Sequence, residues 1–305
     1  IEQKQAAFSE HRGTFVKPTT CSDCAGEQMA MDRPAEKDPP REHHQVVRMP
    51  ARGRWNADER ISNWPPHLTY EVIDRIEQAD LRIVALGDEL THSRESVQES
   101  WPALLEKKLS RKLDRTVAVV NAGIPGTTTA QALVRFPRDV KPFAPHLVIV
   151  SFSFGDSFIS PRQNGDEWQP RLAPEDSVEA TRALFRKIRK ENSRCLFWTT
   201  NPSFPREYAE KHGGERLRRW AGSQEAAKRQ CRVQHLRLCS DLDIPVLDFR
   251  SRFEVNGARS AKKWMTGWWG HNAVGAGLIA TWFADFLVNG DLLPADEARQ
   301  ELPQS

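Results

Sequence analysis

Between Leu81 and Leu86 an apolar run, interrupted only by Arg82, stops abruptly at Gly87-Asp88 and hands over to the polar turn Glu89-Leu90-Thr91. A short apolar run bounded by turn residues has the form of a strand buried on both faces. Strands of that kind belong to parallel sheets covered by helices. In such a sheet, ligands and catalytic groups gather just beyond the carboxyl ends of the strands. Gly87-Asp88-Glu89 therefore marks both a fold class and a place to look for chemistry.

The rest of the chain alternates in the way a parallel sheet requires. A short helix around Tyr70–Gln78 leads into the first strand, and a helix with Trp101, Leu104, Leu105 and Leu109 on one side follows it. Val117–Val120 reads as a second strand, ending in Asn121-Ala122-Gly123; the hydroxyls of Thr127-Thr128-Thr129 suit the cap of the next helix. Leu147–Val150 and Cys195–Trp198 read as strands three and four, with a helix over Val178–Glu191 between them. A long charged helix over Glu215–Leu242, a fifth strand at Ile244–Asp248 and a closing helix over Asn272–Leu287 complete the series. Strands separated by helices need crossover connections. The expectation is one flavodoxin-like α/β domain, a three-layer α/β/α stack around a mainly parallel five-stranded sheet, over about residues 66–292. Residues 1–65 are polar and aperiodic, the pattern of a disordered or loosely packed arm pinned by Trp55 and Trp64, and residues 293–305 read as a polar tail.

Composition narrows the partners. Forty-four basic and 41 acidic residues leave a net charge of +3, which gives no general case for nucleic-acid binding. The densest basic run, Arg216–Arg237, reads as the solvated face of a helix; nucleic-acid or protein docking there would be salt-sensitive. No apolar stretch is long enough to span a bilayer. The first residues, Ile1-Glu2-Gln3-Lys4, show no signal peptide and leave the compartment open. Of the five cysteines, Cys21 and Cys24 form a single Cys-x-x-Cys; a structural zinc needs four ligands, and although His43 and His44 could be recruited, no second pair stands at a persuasive spacing. Cys195 reads as core, and Cys231 and Cys239 lie two helical turns apart, too far for a disulfide. No metal and no cofactor is expected.

Four separated blocks carry a resemblance. They are Gly87-Asp88-Glu89-Leu90-Thr91, Asn121-Ala122-Gly123-Ile124-Pro125-Gly126, Ser153-Phe154-Gly155-Asp156, and Gly267-Trp268-Trp269-Gly270-His271-Asn272-Ala273-Val274-Gly275. In this order, at strand ends, they resemble the blocks of the SGNH or GDSL hydrolases, over about residues 80–290; Asn201-Pro202 and the strand end at Asp248 fit the same pattern. The resemblance implies the same α/β fold and, as ligand class, a small-molecule acyl or carbohydrate ester. It also implies a serine nucleophile, a histidine base oriented by an aspartate, and an oxyanion held by a glycine amide and an asparagine.

Position by position, that machinery is replaced. Glu89 stands at the nucleophile position, Gly155 at the asparagine donor, Gly267 at the aspartate and Gly270 at the histidine; Gly123 alone keeps its residue. Carboxylate attack on an ester would form an anhydride, and Gly270 supplies no base. The expectation is an inactive or inactivated esterase that keeps a pocket for its ester. The alternative is an active hydrolase with a rearranged site in which His271, one position along, is the base. Gly87, Asp88, Asp156 and Asn272 are expected to brace the site. Asp88, Glu89 and Asp156 could instead converge as a carboxylate cluster for a divalent metal or for general-acid work. Ser93, Ser151, Ser153 and Ser157 read as turn or capping residues, and His92 as a surface residue. Trp264, Trp268 and Trp269 read equally as a ligand face or as core.

Overall fold

The computed structural model describes residues 70–92, 99–160, 168–199, 202–255, 261–290 and 292–294. The readings for residues 1–65, including Cys21, Cys24, His43, His44, Trp55 and Trp64, and those for Ser93, Asn201 and most of the polar tail, lie outside them.

The sheet contains β1 (Leu81–Gly87), β2 (Val117–Gly123), β3 (Leu147–Ser151), β4 (Arg194–Trp198) and β5 (Val246–Leu247). All four pairings are parallel, in the order β2-β1-β3-β4-β5. The flavodoxin-like reading therefore holds. The strand bounds that shift most are those of β2, which runs on to Gly123 and carries Asn121 into the strand, and of β5, which keeps only two residues of the expected five.

Alternation along each strand feeds two cores. On one face Leu81, Ile83, Ala85, Leu147, Ile149, Leu196 and Trp198 pack with α3 (Trp101–Leu113) and α10 (Ala273–Asn289). There Trp101 stacks on Phe283 with ring centroids 4.7 Å apart, and its indole N–H donates to the Leu90 carbonyl at 3.0 Å. On the other face Val84, Leu86, Val148, Val150, Cys195 and Phe197 pack with α4 (Thr129–Asp139), α6 (Pro174–Lys190) and the end of α8 (Glu215–Asp241). Burying each Leu, Ile or Phe contributes about 1.5–3 kcal/mol, so this two-sided alternation is what holds the layers together. The remaining helices are α1 (Tyr70–Glu77), α2 (Glu89–His92), α5 (Ser153–Ser157), α7 (Pro205–His212) and α9 (Phe249–Val255). None of the described helices is long and apolar enough to cross a membrane.

Two helices are closed by side chains the sequence had marked. Thr128 and Gln131 form a reciprocal capping box at the start of α4. At α10 the side-chain Oδ1 of Asn272 accepts from the Gly275 amide at 2.9 Å. Gly275 is obligatory there, because a Cβ would lie 2.2 Å from the Trp264 carbonyl.

The basic run is only partly a solvated face. Along α8, Arg216, Arg218, Arg219, Arg229 and Arg237 are exposed, but Lys228 is buried and Arg232 is paired with Asp248. Trp220, Gln224, Lys228, Cys231, His235 and Leu238 make a buried stripe at helical spacing. It stitches the segment after β3 to the body of the domain: Trp220 Nε1 donates to the Ile159 carbonyl (2.9 Å), Gln224 Nε2 to the Ser157 carbonyl (3.0 Å), and the Ile159 amide donates to Gln224 Oε1 (2.7 Å).

Candidate active site

Strand β1 lies between β2 and β3, so Gly87 is in register with both Gly123 and Ser151. The loops after these three strands therefore meet at one place, the point where the strand order reverses. Gly87 has no room for a side chain: a Cβ would stand 2.0 Å from Thr91 Oγ1 and 2.7 Å from the Ser151 carbonyl. Gly123 is as tightly placed, with the His92 amide 2.2 Å from a Cβ.

Asp88 and Asp156 brace this junction. Asp88 Oδ1 accepts from the Leu90 amide (3.0 Å) and caps the short α2, while Oδ2 accepts from the Gly155 amide (2.8 Å), joining the first block to the third. Burial, and then the adjacent Glu89 carboxylate, push Asp88 well above the usual carboxylate range. Asp156 accepts from the Thr129 amide (2.8 Å), the Thr129 hydroxyl (2.6 Å) and the Ser177 hydroxyl (2.6 Å). Burial raises it to about 6 against those three hydrogen bonds. Among the described residues no group of three or more His, Cys, Asp or Glu is placed to hold a metal ion.

Glu89 begins α2 and is buried, 4% exposed. Its Oε2 accepts from the Gly126 amide at 3.2 Å; its Oε1 makes no hydrogen bond and faces Arg171 Nη1 at 3.8 Å. Arg171 lies over the Phe158 ring, its guanidinium carbon 4.4 Å from the centroid. Glu89 is thus a carboxylate fixed by one amide and one cation. The Gly123 amide, the expected oxyanion donor, instead donates to Asn121 Oδ1 at 3.0 Å. At Gly155 a Cβ would stand 2.1 Å from the Thr127 carbonyl, so the asparagine of the pattern has no room.

The fourth block is a β-hairpin, which sequence reading did not anticipate. Strand β6 (Met265–Thr266) pairs antiparallel with β7 (Gly270–His271), and Gly267 begins the turn at φ +59°. A Cβ on Gly267 would meet nothing within 4 Å, and one on Gly270 would lie 3.3 Å from the Thr266 carbonyl. Trp268 and Trp269 resolve to core: Trp269 stacks on Phe154 at 5.0 Å, and Trp268 packs on Phe158 at 6.2 Å and edge-on to Trp220 at 5.2 Å. Trp264 is half-buried against the same cluster. These rings join the hairpin to the helix that carries Gly155.

His271 is buried, and neither ring nitrogen has a hydrogen-bond partner. Burial lowers it to about 4. A group depressed in the folded chain contributes stability that is present above its ordinary value of 6.5 and lost as the pH falls toward 4. Replacing His271 with leucine should therefore leave stability at pH 7 undiminished. It should also remove about 2 kcal/mol of the loss between about pH 7 and 5. Denaturant titrations at the two pH values check this; an unchanged acid sensitivity would place the imidazole in water.

His92 and His235 do not make a base either. His92 is exposed, with Nδ1 3.2 Å from the Gly123 carbonyl. His235 Nε2 lies 3.1 Å from Ser177 Oγ and 3.0 Å from Thr181 Oγ1, and its Nδ1 lies 3.3 Å from Cys231 Sγ. This has the parts of a triad in the wrong order. The single hydroxyl proton of Ser177 goes to Asp156, which leaves His235 only lone pairs to bind. Ser177 and His235 are each 1% exposed, burial lowers His235 to about 4, and burial pushes the Cys231 thiol up. Ser151 and Ser153 are buried without side-chain partners, and Ser157 donates to the Ser153 carbonyl.

Three contributors had no motif to announce them: Arg171, Lys228 and Arg135. Lys228 is buried with its ammonium 5.7 Å from the Phe154 centroid, and burial, then Arg250, lowers it to about 7. Only the α8 stripe, a lysine at a core spacing, hinted at it.

Comparison with known proteins bears on the family and the fold. The model of the GDSL-like lipase/acylhydrolase family matches residues 85–271. An arylesterase of Vibrio mimicus is 32% identical over 80 residues, 26% of this chain and 40% of that protein. The thioesterase 1/protease 1/lysophospholipase L1 of Escherichia coli K12 is 29% identical over 123 residues, 40% of this chain and 51% of that protein. The chain thus matches about half or less of these relatives' lengths. In fold it is similar to a lipase/acylhydrolase from Enterococcus faecalis (TM-score 0.51, 18% identity, 71% of this chain and 99% of that one). It is similar too to the acetylxylan esterase Axe2 from Geobacillus stearothermophilus (TM-score 0.52, 15% identity, 72% and 98%). The chain belongs to the GDSL-like lipase/acylhydrolase family.

Proposed function

We propose that this chain is a catalytically silent member of its family, which keeps a ligand site at the strand ends but does not cleave esters by the serine route. The observation that carries the reading is the state of Glu89. A nucleophile must be free to attack, yet this carboxylate is buried, bonded through Oε2 to the Gly126 amide and turned through Oε1 toward Arg171. The oxyanion of such an attack would also form in a site whose Gly123 amide is already engaged by Asn121. The ligand class follows from the company the chain keeps: the names of its relatives point to acyl and carbohydrate esters. The reading with His271 as base would need a buried, unpartnered imidazole to reach a hydroxyl it makes no hydrogen bond with.

A panel of p-nitrophenyl acyl esters and acetylated sugars, run on the full chain, tests this. Turnover should match a buffer blank for every ester. Saturable turnover that disappears in Glu89→Gln or His271→Asn would overturn the silent reading.

A further inference from the structure

The polar atoms around Glu89 form an incomplete set. Glu89 Oε1 is buried with no hydrogen bond, and so are Nε, Nη1 and Nη2 of Arg171, whose side chain is 14% exposed. Buried polar groups are almost always satisfied, so an acceptor and a fork of donors facing each other without bonds imply an occupant. The space between them limits what that occupant is. Oε1 and Nη1 are 3.8 Å apart, too far for a direct hydrogen bond. One oxygen set about 2.8 Å from each would complete both bonds. An anion is disfavoured because it would face the Glu89 carboxylate. The remaining choice is a neutral oxygen that donates to Oε1 and accepts from Nη1, the hydrogen-bonding character of a hydroxyl. Neither wall can turn away: Oε2 is held by Gly126, and the guanidinium is stacked on Phe158. Three residues before Arg171, the indole N–H of Trp168 is another buried donor without a partner, on a ring only half-buried. A second unmet donor on the same short segment suits a ligand with more than one hydroxyl.

We propose that Glu89 and Arg171 form a subsite for an alcohol hydroxyl of a polyol, held and not transformed. This deepens the silent reading and rests on it: the carboxylate that replaces the nucleophile would be a hydrogen-bond acceptor for the ligand.

The test is binding of glycerol, erythritol and methyl α-glucopyranoside to the full chain, followed by saturation-transfer NMR and calorimetry. The double variant Glu89→Leu/Arg171→Leu is the control, since removing both charges together leaves no unpaired ion to unfold the domain. At least one polyol should bind the natural chain in the millimolar range, with affinity at least about tenfold weaker in the double variant and measurably weaker in Glu89→Gln. Equal binding by the natural chain and a folded double variant would overturn the subsite. So would no binding of any of the three, which would assign the gap to water. Ester turnover measured on the same samples separates the two ideas: turnover contradicts the silent reading, whereas no turnover with no polyol binding contradicts only this one.

Discussion

Replacing Arg135 with methionine is expected to cost about 3–5 kcal/mol of folding stability, the largest effect of any single side chain at the site. Arg135 is 9% exposed and lies beneath the loops that carry Glu89 and Gly123. Its Nη1 donates to the Ala122 carbonyl and its Nη2 to the Gly87 carbonyl, each at 2.8 Å, so one guanidinium ties the ends of β1 and β2 together. It is also paired with buried Asp139 one turn along α4. Methionine fills similar volume but strands two carbonyls and leaves Asp139 to Arg138 alone. Urea unfolding followed by tryptophan fluorescence measures the loss; a change under about 1 kcal/mol would mean that the strand ends hold without this brace.

Gly155→Asn, the change that would restore the family's side-chain oxyanion donor, is expected to cost about 2–3 kcal/mol and to yield no ester turnover. The obstacle is the Cβ, which would stand 2.1 Å from the Thr127 carbonyl, a backbone atom with no rotamer to change. Gly155→Ala should therefore lose nearly as much as Gly155→Asn. Gly267→Asp is the contrast: its Cβ enters open space, and the cost is the φ of +59°, about 1–2 kcal/mol. Melting temperatures of the three variants check the order. A Gly155→Asn protein as stable as the natural chain would show that the Thr127 loop yields. On the proposed reading, restoring residues by pattern alone should not restore chemistry.

How much of this was legible in the sequence depended on whether a signal was local. The strands were legible because alternation and punctuation are local: Leu81 to Gly87 reads as a buried strand before any partner is known. Asp88 and Asp156 were read as braces because the resemblance implied it, and each carboxyl accepts a backbone amide from another block of the chain. What could not be read came from distant pairings. Arg171 sits in a loop with no period, and its meeting with Glu89 depends on the path of the chain between Phe158 and α6. Lys228 was counted into a solvated basic face because charge outweighed spacing; the stripe from Trp220 to Leu238 held the better signal. The fourth block was read as a loop, since two-residue strands such as Met265–Thr266 fall below any pattern, and the stacking that fixes Trp269 is made with Phe154, more than a hundred residues earlier.

The measurement closest to the central claim is covalent capture of a nucleophile. The full chain, incubated with a fluorophosphonate beside an active serine esterase as control, should show an unchanged intact mass while the esterase is fully labelled. A single stoichiometric adduct mapped to Ser151, Ser153, Ser157 or Ser177 would contradict the account, because all four are buried and Ser177, the one beside a histidine, gives its proton to Asp156.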